Sequence, residues 1–306
     1  MTSETIIACS IWRALEVVGD VPVLLILEQA FIGTRGFEEF VAKTCLPRSV
    51  VSDRLKKLAS EECLEKRIDN GKRRASYRVT RKGRDLLPVA LSMLGWQHRW
   101  EADQRSFKVQ ITHLGCNEIV EPIATCATCR SEVSPMEVDW MPGPGLTQVI
   151  PDYSRRRRSS KDILKLRGKG ALVDTVIGLY GDRWSALIVR AMFTGIHRFD
   201  QIQQDTLMAT NILSGRIDEL IESGILVTSL YSQHPPRYEY HLTPKGRDLY
   251  PITLGLLQWG DQYYADEKGP PLILYHRPCG NSLKMEIVCG YCDEKLRNEE
   301  MAARIV

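Results

Sequence analysis

Apolar residues recur at helical spacing through the first third of the chain. A stripe spaced i, i+3, i+4 predicts a short amphipathic helix: Phe37, Phe40 and Val41. After a turn at residues 45–49, a stripe spaced i, i+4, i+7 predicts the next helix: Val51, Leu55 and Leu58. Two short helices joined by a turn, each with one apolar face, predict a helix-turn-helix unit.

Further helices are predicted before this unit, and a hairpin after it. One helix is predicted around residues 11–18. A second is predicted to run to Phe31, because Asp20 is suited to its N-cap and Pro22 to its first turn. Strands over residues 64–68 and 76–79 flank Asn70-Gly71, a strong hairpin signal. A long last helix is expected from Arg81 to about Glu101. This order, ending in a two-stranded wing, is typical of a winged helix.

The same order occurs twice. GRDLLPVALSMLGW (83–96) aligns with GRDLYPITLGLLQW (246–259), and Gly19-Asp20 aligns with Gly181-Asp182. Helical stripes recur as well: Phe199 and Ile202, then Leu213, Ile217 and Leu220, with a hairpin tip at 232–236. Such a period indicates tandem copies of one unit.

The predicted fold class is therefore mainly α with small β wings: two tandem winged helix-turn-helix copies plus small Cys-rich ribbons. We expect copy one at residues 1–105, a first ribbon at 106–150 and a basic linker at 151–169. Copy two is expected at 170–268 and a second ribbon at 269–306.

The ribbons are predicted from two aligned stretches, HLGCNEIVEPIATCATC (113–129) and HRPCGNSLKMEIVCGYC (276–292), which agree at four of seventeen positions. The retained residues are metal-ligand types: His113, Cys116, Cys126 and Cys129, and His276, Cys279, Cys289 and Cys292. Three thiolates and one imidazole fill a tetrahedral zinc site and leave no open position for catalysis. Each tail is expected to hold its own structural Zn²⁺, two per chain. Cysteines that only pack, a reversible disulfide and an iron–sulfur cluster remain alternatives.

The two copies differ strongly in charge, although the formal net charge of the whole chain is only +3. Residues 46–84 hold thirteen Lys/Arg and five Asp/Glu, whereas residues 209–247 hold four of each. Residues 155–170 hold eight Lys/Arg and one Asp, beginning with Arg155–Arg158. A basic face of this kind favours nucleic acid as the partner, and the linker is either a solvated charge run or an arm that touches DNA.

The chain resembles the HxlR-type winged helix-turn-helix transcriptional regulators. Copy two carries the resemblance in GDRWSALIVRAMFTG, LSGRIDELIESGILV and PPRYEYHLTPKGRDLYPI, and copy one in ACSIWRALEVVGD, VSDRLKKL and YRVTRKGRDLLPV. Copy one departs from the pattern at Pro22, which replaces the Trp of GDRW, and in its NGKRR wing. The resemblance implies a DNA-binding repressor or activator built as an intramolecular pseudo-dimer or a homodimer, with double-stranded DNA as partner.

The DNA contacts are assigned by position in the predicted motif. Major-groove contacts are expected from the second helix of each unit: Arg48, Ser49, Ser52, Arg54 and Lys56 in copy one, and Thr210, Asn211, Ser214 and Arg216 in copy two. Phosphate contacts are expected from the wings: Arg67, Lys72, Arg73, Arg74, His234 and Arg237. Different residues at equivalent positions predict two non-identical half-sites.

Other functions are weighed against this one. Cys9 could be a redox sensor or a buried structural thiol, and a small-molecule or redox effector stays open. A scaffold protein that docks partners through its winged helices is the alternative from another class. No phosphate-binding loop, dinucleotide fingerprint or hydrolase motif occurs, so an enzyme is not expected. The sequence shows no signal peptide or membrane span, which predicts a cytoplasmic location.

Overall fold

The computed structural model describes residues 5–7, 9–68, 75–101, 109–149 and 174–305. Copy one begins with a two-residue strand and four helices: β1 (Ile6–Ile7), α1 (Ser10–Val18), α2 (Val21–Phe31), α3 (Phe37–Thr44) and α4 (Arg48–Ser60). A hairpin and two helices complete it: β2 (Leu64–Arg67), β3 (Ser76–Val79), α5 (Arg81–Arg84) and α6 (Leu87–Trp100). The predicted helix-turn-helix and wing are confirmed in copy one.

Copy two repeats the order with a longer wing. Its helices before the wing are α7 (Asp174–Tyr180), α8 (Arg183–Phe193), α9 (Phe199–Thr206) and α10 (Thr210–Glu222). The wing strands are β9 (Leu226–Gln233) and β10 (Pro236–Leu242), followed by α11 (Pro244–Arg247) and α12 (Tyr250–Tyr264). Copy two of the winged helix is therefore confirmed as well.

The tails are built from short strands. The first holds β4 (Val109–His113), β5 (Glu118–Ile119), β6 (Pro122–Cys126), β7 (Val138–Pro142) and β8 (Gln148–Val149). The second holds β11 (Leu272–His276), β12 (Asn281–Ser282), β13 (Met285–Cys289) and β14 (Met301–Ile305). A 3-10 turn precedes β7 and another precedes β14, at residues 135–137 and 298–300.

Local capping explains where the second helix of each copy begins. The side chain of Asp20 accepts a hydrogen bond from the amide of Val23 at 3.4 Å, and that of Asp182 accepts one from the amide of Trp184 at 3.3 Å. Each carboxylate satisfies an amide that has no partner inside the helix. The two caps also lie side by side, because Asp20 and Asp182 form an isolated antiparallel bridge.

The prediction of one long last helix from Arg81 to Glu101 is wrong. The segment is two helices, α5 and α6, with a break at residues 85 and 86. Pro88 explains the break, because proline has no amide hydrogen and its ring conflicts with the carbonyl four residues earlier. Pro251 has the same effect between α11 and α12.

The two copies exchange their first helices. Helix α1 of copy one packs along α12 of copy two, α7 of copy two packs on α6 of copy one, and α6 packs on α12. Equivalent hydrogen bonds join the copies: the indole of Trp96 donates to the Lys245 carbonyl, and that of Trp259 donates to the Lys82 carbonyl, both at 2.9 Å. One hydrophobic core therefore continues through both copies, in a self-complementary arrangement of the kind that a two-fold dimer has.

The tails are exchanged too. Strand β4 pairs with β14, β7 pairs with β11, and β6 pairs with β13, all antiparallel. Ala124 opposes Ile287 at the centre of the β6–β13 ladder, and these two residues occupy equivalent positions of the repeat. The two halves of the chain are thus related by an approximate two-fold axis that passes through this ladder. Among the described helices, none has the length and apolar content needed to cross a membrane.

Candidate metal centres and DNA-reading surface

The eight predicted ligands come together in two groups of four. One group is His113 and Cys116 with Cys289 and Cys292, and its ligand atoms lie within 4.8 Å of one another. The Nδ1 atom of His113 lies 3.4 Å from the sulfur of Cys116 and 3.4 Å from that of Cys292. The sulfurs of Cys116 and Cys289 are 3.8 Å apart.

The second group is its counterpart across the approximate two-fold axis. It contains Cys126 and Cys129 with His276 and Cys279, again within 4.8 Å of one another. The Nδ1 atom of His276 lies 3.4 Å from the sulfur of Cys129 and 3.6 Å from that of Cys279. In both groups the imidazole faces the thiols through the same nitrogen.

These separations fit a tetrahedral metal ion. With Zn–S bonds of about 2.3 Å and Zn–N bonds of about 2.0–2.1 Å, adjacent sulfurs lie about 3.8 Å apart and nitrogen and sulfur about 3.5 Å apart. Both groups could therefore hold a metal ion with no change in backbone position. Both histidines are fully buried, and in the described residues their Nε2 atoms have no hydrogen-bond partner.

The expectation that each tail holds its own site is wrong. Each group takes one His-x2-Cys pair from one tail and one Cys-x2-Cys pair from the other. The reason lies in the β6–β13 ladder, where Pro122 opposes Cys289 and Cys126 opposes Met285. Four residues of extended strand carry Cys126 about 13 Å away from Pro122, so Cys289 fills the position near Cys116 instead.

One thiol of these groups differs from the others in its surroundings. Cys129 is exposed, and its sulfur lies 2.9 Å from the hydroxyl of Ser131. This hydrogen bond is the largest cause that lowers the pKa of Cys129 to about 6. A thiol that ionises readily is a good metal ligand, because only the thiolate binds the metal.

Helix α4 presents its polar face to solvent. Its apolar stripe of Val51, Leu55 and Leu58 is buried, as predicted. Ser49 and Lys56 are exposed, and Ser52 is half-buried. Arg48 is exposed but forms a bidentate pair with Glu38, at 2.5 and 2.7 Å, and lies 5.1 Å from the centre of the Phe37 ring.

Helix α10 has the same shape and a different polar face. Asn211, Ser214 and Asp218 are exposed, while Thr210 accepts a hydrogen bond from Gln203 at 2.9 Å. The face of α10 offers an amide and a carboxylate where α4 offers hydroxyl and ammonium groups. The two helices therefore differ in the hydrogen bonds that they can form with base edges.

Arg54 and Arg216, which were expected to read bases, point back into the domain. Arg54 pairs with Asp20 at 2.8 Å, and Arg216 pairs with Asp182; the two Arg side chains are 30% and 23% exposed. In each copy the arginine of the recognition helix is thus tied to the N-cap residue of an earlier helix. Sequence reasoning missed this pairing, although its signal was present: Asp and Arg recur at equivalent positions in both copies.

The wings are described only in part. Arg67 is exposed and pairs with Glu65 at 2.8 Å. Lys72, Arg73 and Arg74 lie outside the described residues, as do Arg155–Arg158. In copy two His234 and Arg237 are exposed at the wing tip, and four large apolar side chains of the wing are exposed as well: Val227, Leu230, Tyr231 and Tyr238.

The remaining cysteines have structural surroundings. Cys9 is 2% exposed and caps α1, with its sulfur 3.3 Å from the amide of Trp12. Cys63 is buried, and burial raises the pKa of its thiol to about 11. Cys45 is exposed in the turn before α4. By the alignment of Gly19 with Gly181, the position equivalent to Cys9 in copy two is Ala171, which lies outside the described residues.

Comparison with known proteins agrees with this architecture. A family model described as HxlR-like helix-turn-helix matches residues 17–105 and 179–268, which is more than half of the chain. The chain is 38% identical over 133 residues to an uncharacterized HTH-type transcriptional regulator, Mb3122 of Mycobacterium bovis; the match covers 44% of this chain and 84% of the relative. It is 29% identical over 110 residues to the uncharacterized HTH-type transcriptional regulator YdeP of Bacillus subtilis, over 36% and 86% of the two chains.

A solved structure is similar to part of the chain. This is PA1374 of Pseudomonas aeruginosa, a candidate transcription factor, at 32% identity and a TM-score of 0.32, over 39% of this chain and 81% of the other. Each of these relatives is thus matched over most of its own length, and the match covers less than half of this chain. The resemblance inferred from the sequence motifs is confirmed.

Proposed function

The chain belongs to the HxlR-like helix-turn-helix family, whose members are DNA-binding transcriptional regulators and not enzymes, and we propose that it reads two different DNA half-sites through α4 and α10. The observation that supports this most directly is the pair of recognition helices. They stand at equivalent positions about the approximate two-fold axis and expose different side chains. Two-fold related helices match two half-sites on a duplex.

The base contacts are assigned to polar side chains on the solvent-facing side of each helix. Ser49, Ser52 and Lys56 would contact bases or phosphates from α4, and Asn211 and Ser214 from α10. Asn is suited to a bidentate contact with adenine, whereas Ser and Lys contact several bases or a phosphate. Arg54 and Arg216 would act by holding their helices in place, since Arg54 is paired with the buried carboxylate of Asp20 and Arg216 with the largely buried carboxylate of Asp182.

We propose structural Zn²⁺ in both ligand groups. Three thiolates and one imidazole are a preferred zinc ligand set, and four protein ligands leave no position for a substrate. Because each site takes ligands from both tails, the metal would join the two halves of the chain. Its binding energy would thereby stabilise the pseudo-dimer and not only the separate tails.

A gel shift against the promoter region of the chain's own gene tests the proposal. Arg48→Thr with Ser49→Asn gives the start of α4 the chemistry of α10. The expected result is loss of affinity for the natural site and improved binding to a palindrome of the copy-two half-site, with about 1–3 kcal/mol of discrimination per base contact. The matched control is Glu267→Gln, an exposed change far from both helices in the chain. Unchanged preference in the variant would refute the two-reader proposal.

One observation favours a second candidate function, which is protein docking by copy two. Its wing exposes Leu230 and Tyr238 at 50% and 49%, and residues 209–247 carry no net charge. This function would be favoured if the chain did not bind DNA, or if its binding to DNA did not depend on the salt concentration, because phosphate contacts make DNA binding strongly salt-dependent.

A further inference from the structure

An open groove of about 510 Å³ lies where α5 of copy one, α12 of copy two and the second tail meet. We call it the copy-one groove. Its floor is apolar, because the buried side chains of Leu87, Met285 and Leu296 line it. Basic side chains surround this floor, and all of them are exposed: Arg81, Arg84, Lys284, Lys295 and Arg297. The described lining includes none of the metal ligands and no residue of α4.

The approximate two-fold axis relates this groove to a second one, the copy-two groove, of about 850 Å³ between α11, α6 and the first tail. Both grooves are built on the same frame. Arg84 donates a hydrogen bond to the carbonyl of Val79 at 3.2 Å, and its counterpart Arg247 donates one to the carbonyl of Leu242 at 3.0 Å. The repeat therefore supplies an internal comparison, in which equivalent backbone carries different side chains.

The two grooves differ in the charge of their tails. Glu121 and Glu132 of the first tail line the copy-two groove, and Lys284 and Lys295 stand at the equivalent positions of the second tail. The arginine of the short helix therefore shares one groove with carboxylates and the other with ammonium groups. Two more cations are particular to the copy-one groove: Arg81 replaces Pro244, and Arg297 replaces Ser134.

The cations of the copy-one groove are only partly neutralised. Lys295 pairs with Glu286 at 3.3 Å, and Arg297 pairs with Glu300 at 3.0 Å. Within the part of the chain that the structure describes, three basic side chains of the lining form no ion pair: Arg81, Arg84 and Lys284. Like charges from copy one and from the second tail thus meet in one groove, and an anion between them would replace repulsion by attraction.

Two carboxylates also line the copy-one groove, but they do not balance its charge. Asp85 accepts hydrogen bonds from the side-chain amide of Gln262, at 3.0 Å, and from the hydroxyl of Tyr263. Glu299 is exposed. The described lining holds five Lys/Arg against two Asp/Glu, whereas that of the copy-two groove holds two Arg against four Asp/Glu. Only the copy-one groove is therefore suited to an anion.

We propose that the copy-one groove binds one small organic phosphate per chain, with its phosphate group among Arg81, Arg84 and Lys284 and its organic part over the apolar floor. A phosphate monoester carries about −1.5 to −2 charges at neutral pH and offers three strong acceptor oxygens. It therefore matches three unpaired cations better than a carboxylate does. The guanidinium fork of arginine suits bidentate contacts with phosphate. Such a ligand would join α5 of copy one to the second tail.

A phosphate of the DNA backbone offers the same chemistry, but the position of the groove favours a small ligand. Strand β3 ends at Val79, two residues before Arg81, and Val79 pairs with Leu64 at the base of the wing. Phosphate contacts with DNA are expected at the tip of the wing. The tip is at least about 10 Å from this base, because three residues of extended strand separate Leu64 from Arg67.

Isothermal titration of the full chain with phenyl phosphate and with benzoate tests the site. Phenyl phosphate is expected to bind once per chain, at least about tenfold more tightly than benzoate, which is the worth of one further charged hydrogen bond. Equal affinities for the two probes would overturn the proposal.

Lys284→Glu with Lys295→Glu gives the second tail the residues that the first tail has at these positions. Phenyl phosphate binding is expected to weaken at least about tenfold. The matched control is Lys66→Glu with Lys268→Glu, the same change of charge at two exposed positions outside the groove lining, which should leave binding unchanged. If the groove variant fails to fold, as judged by circular dichroism, Lys284→Gln with Lys295→Gln takes its place. Unweakened binding in a folded groove variant, or equal weakening in the control, would overturn the proposal.

The reverse exchange tests whether these charges make the site. Glu121→Lys, Glu132→Lys and Pro244→Arg together give the copy-two groove the side chains of the copy-one groove. The number of phenyl phosphate molecules bound per chain is expected to rise from one to two. A number that stays at one would overturn the assignment of the site to these charges.

A gel shift with the two double variants separates a small ligand from the DNA backbone. The groove variant and its control change the net charge of the chain equally, so they are expected to lose the same small fraction of DNA affinity. A larger loss in the groove variant would assign the groove to DNA and overturn the small-ligand proposal. Phenyl phosphate binding is measured without DNA, so it does not depend on the proposed function.

Discussion

The sulfur of Cys116 lies 3.8 Å from the sulfur of Cys289, on the other tail of the chain. This pair belongs to one ligand group, whereas Cys126, which is nearer to Cys116 in sequence, belongs to the other. The two ligand groups therefore each connect both halves of the chain. Three strand pairs and the exchanged helices α1 and α7 connect the same two halves.

Pairs of serine substitutions distinguish this sharing from tail-by-tail binding. Cys116→Ser with Cys289→Ser removes two ligands from one group, so about one zinc per chain is expected to remain. Cys116→Ser with Cys126→Ser removes one ligand from each group, and the zinc content is expected to fall well below one. Native mass spectrometry counts the metal, and Cys63→Ser, outside both groups, is the control. The reversed pattern would refute the sharing.

Much of the fold could be predicted from the sequence because local signals agree with tertiary ones. The stripe of Val51, Leu55 and Leu58 forms the buried face of α4, and Asp20 caps α2 as expected. The ligand grouping could not be predicted, because spacing within one tail carries no information about which strand pairs with which. The break before Pro88 did have a local signal, which is the proline itself, but the apolar periodicity on either side of it suggested one continuous helix.

Removing Arg54 should affect stability more than base recognition. Arg54→Met leaves Asp20, which is 5% exposed, without its ion-pair partner, and breaking such a partly buried pair is expected to lower the free energy of unfolding by about 2 kcal/mol. Lys56→Met on the same helix changes an exposed side chain, so stability should change by less than about 0.5 kcal/mol while DNA affinity falls. Urea unfolding and gel shifts on both variants separate the two roles. If the two variants had the same free energy of unfolding, the Arg54–Asp20 pair would contribute nothing to stability.

Asp261 gives the protein a stability that depends on pH. Burial raises its pKa to about 6, although the Ser10 hydroxyl, at 2.5 Å, opposes the shift. Because an unfolded Asp has a pKa of about 3.9, the folded state binds the proton more tightly, and this contribution to stability is lost as the pH rises from about 4 to about 6.

Asp261→Asn removes the buried charge. Above pH 7 the variant is expected to be more stable than the unmodified chain by about 1 kcal/mol, a value reduced from the full linkage because the carboxyl is partly exposed. The difference should shrink towards pH 5. Thermal unfolding from pH 5 to 8 measures it, with Asp53→Asn, an exposed change, as the control. A difference that is constant with pH would show that the Asp261 carboxyl does not titrate in this range.

Copy one should supply most of the phosphate contacts. Residues 46–84 carry thirteen Lys/Arg against five Asp/Glu, and residues 209–247 carry four of each. Each phosphate that a basic side chain neutralises adds about −0.9 to the slope of log affinity against log salt concentration. Arg73→Ala with Arg74→Ala should therefore weaken binding at fixed salt and flatten the slope by about two. Arg237→Ala, in the wing of copy two, should flatten it by well under one. The surrounding positive charge of copy one strengthens each of its phosphate contacts. An equal loss of affinity per substituted arginine in the two wings, measured at fixed salt, would therefore contradict the asymmetry.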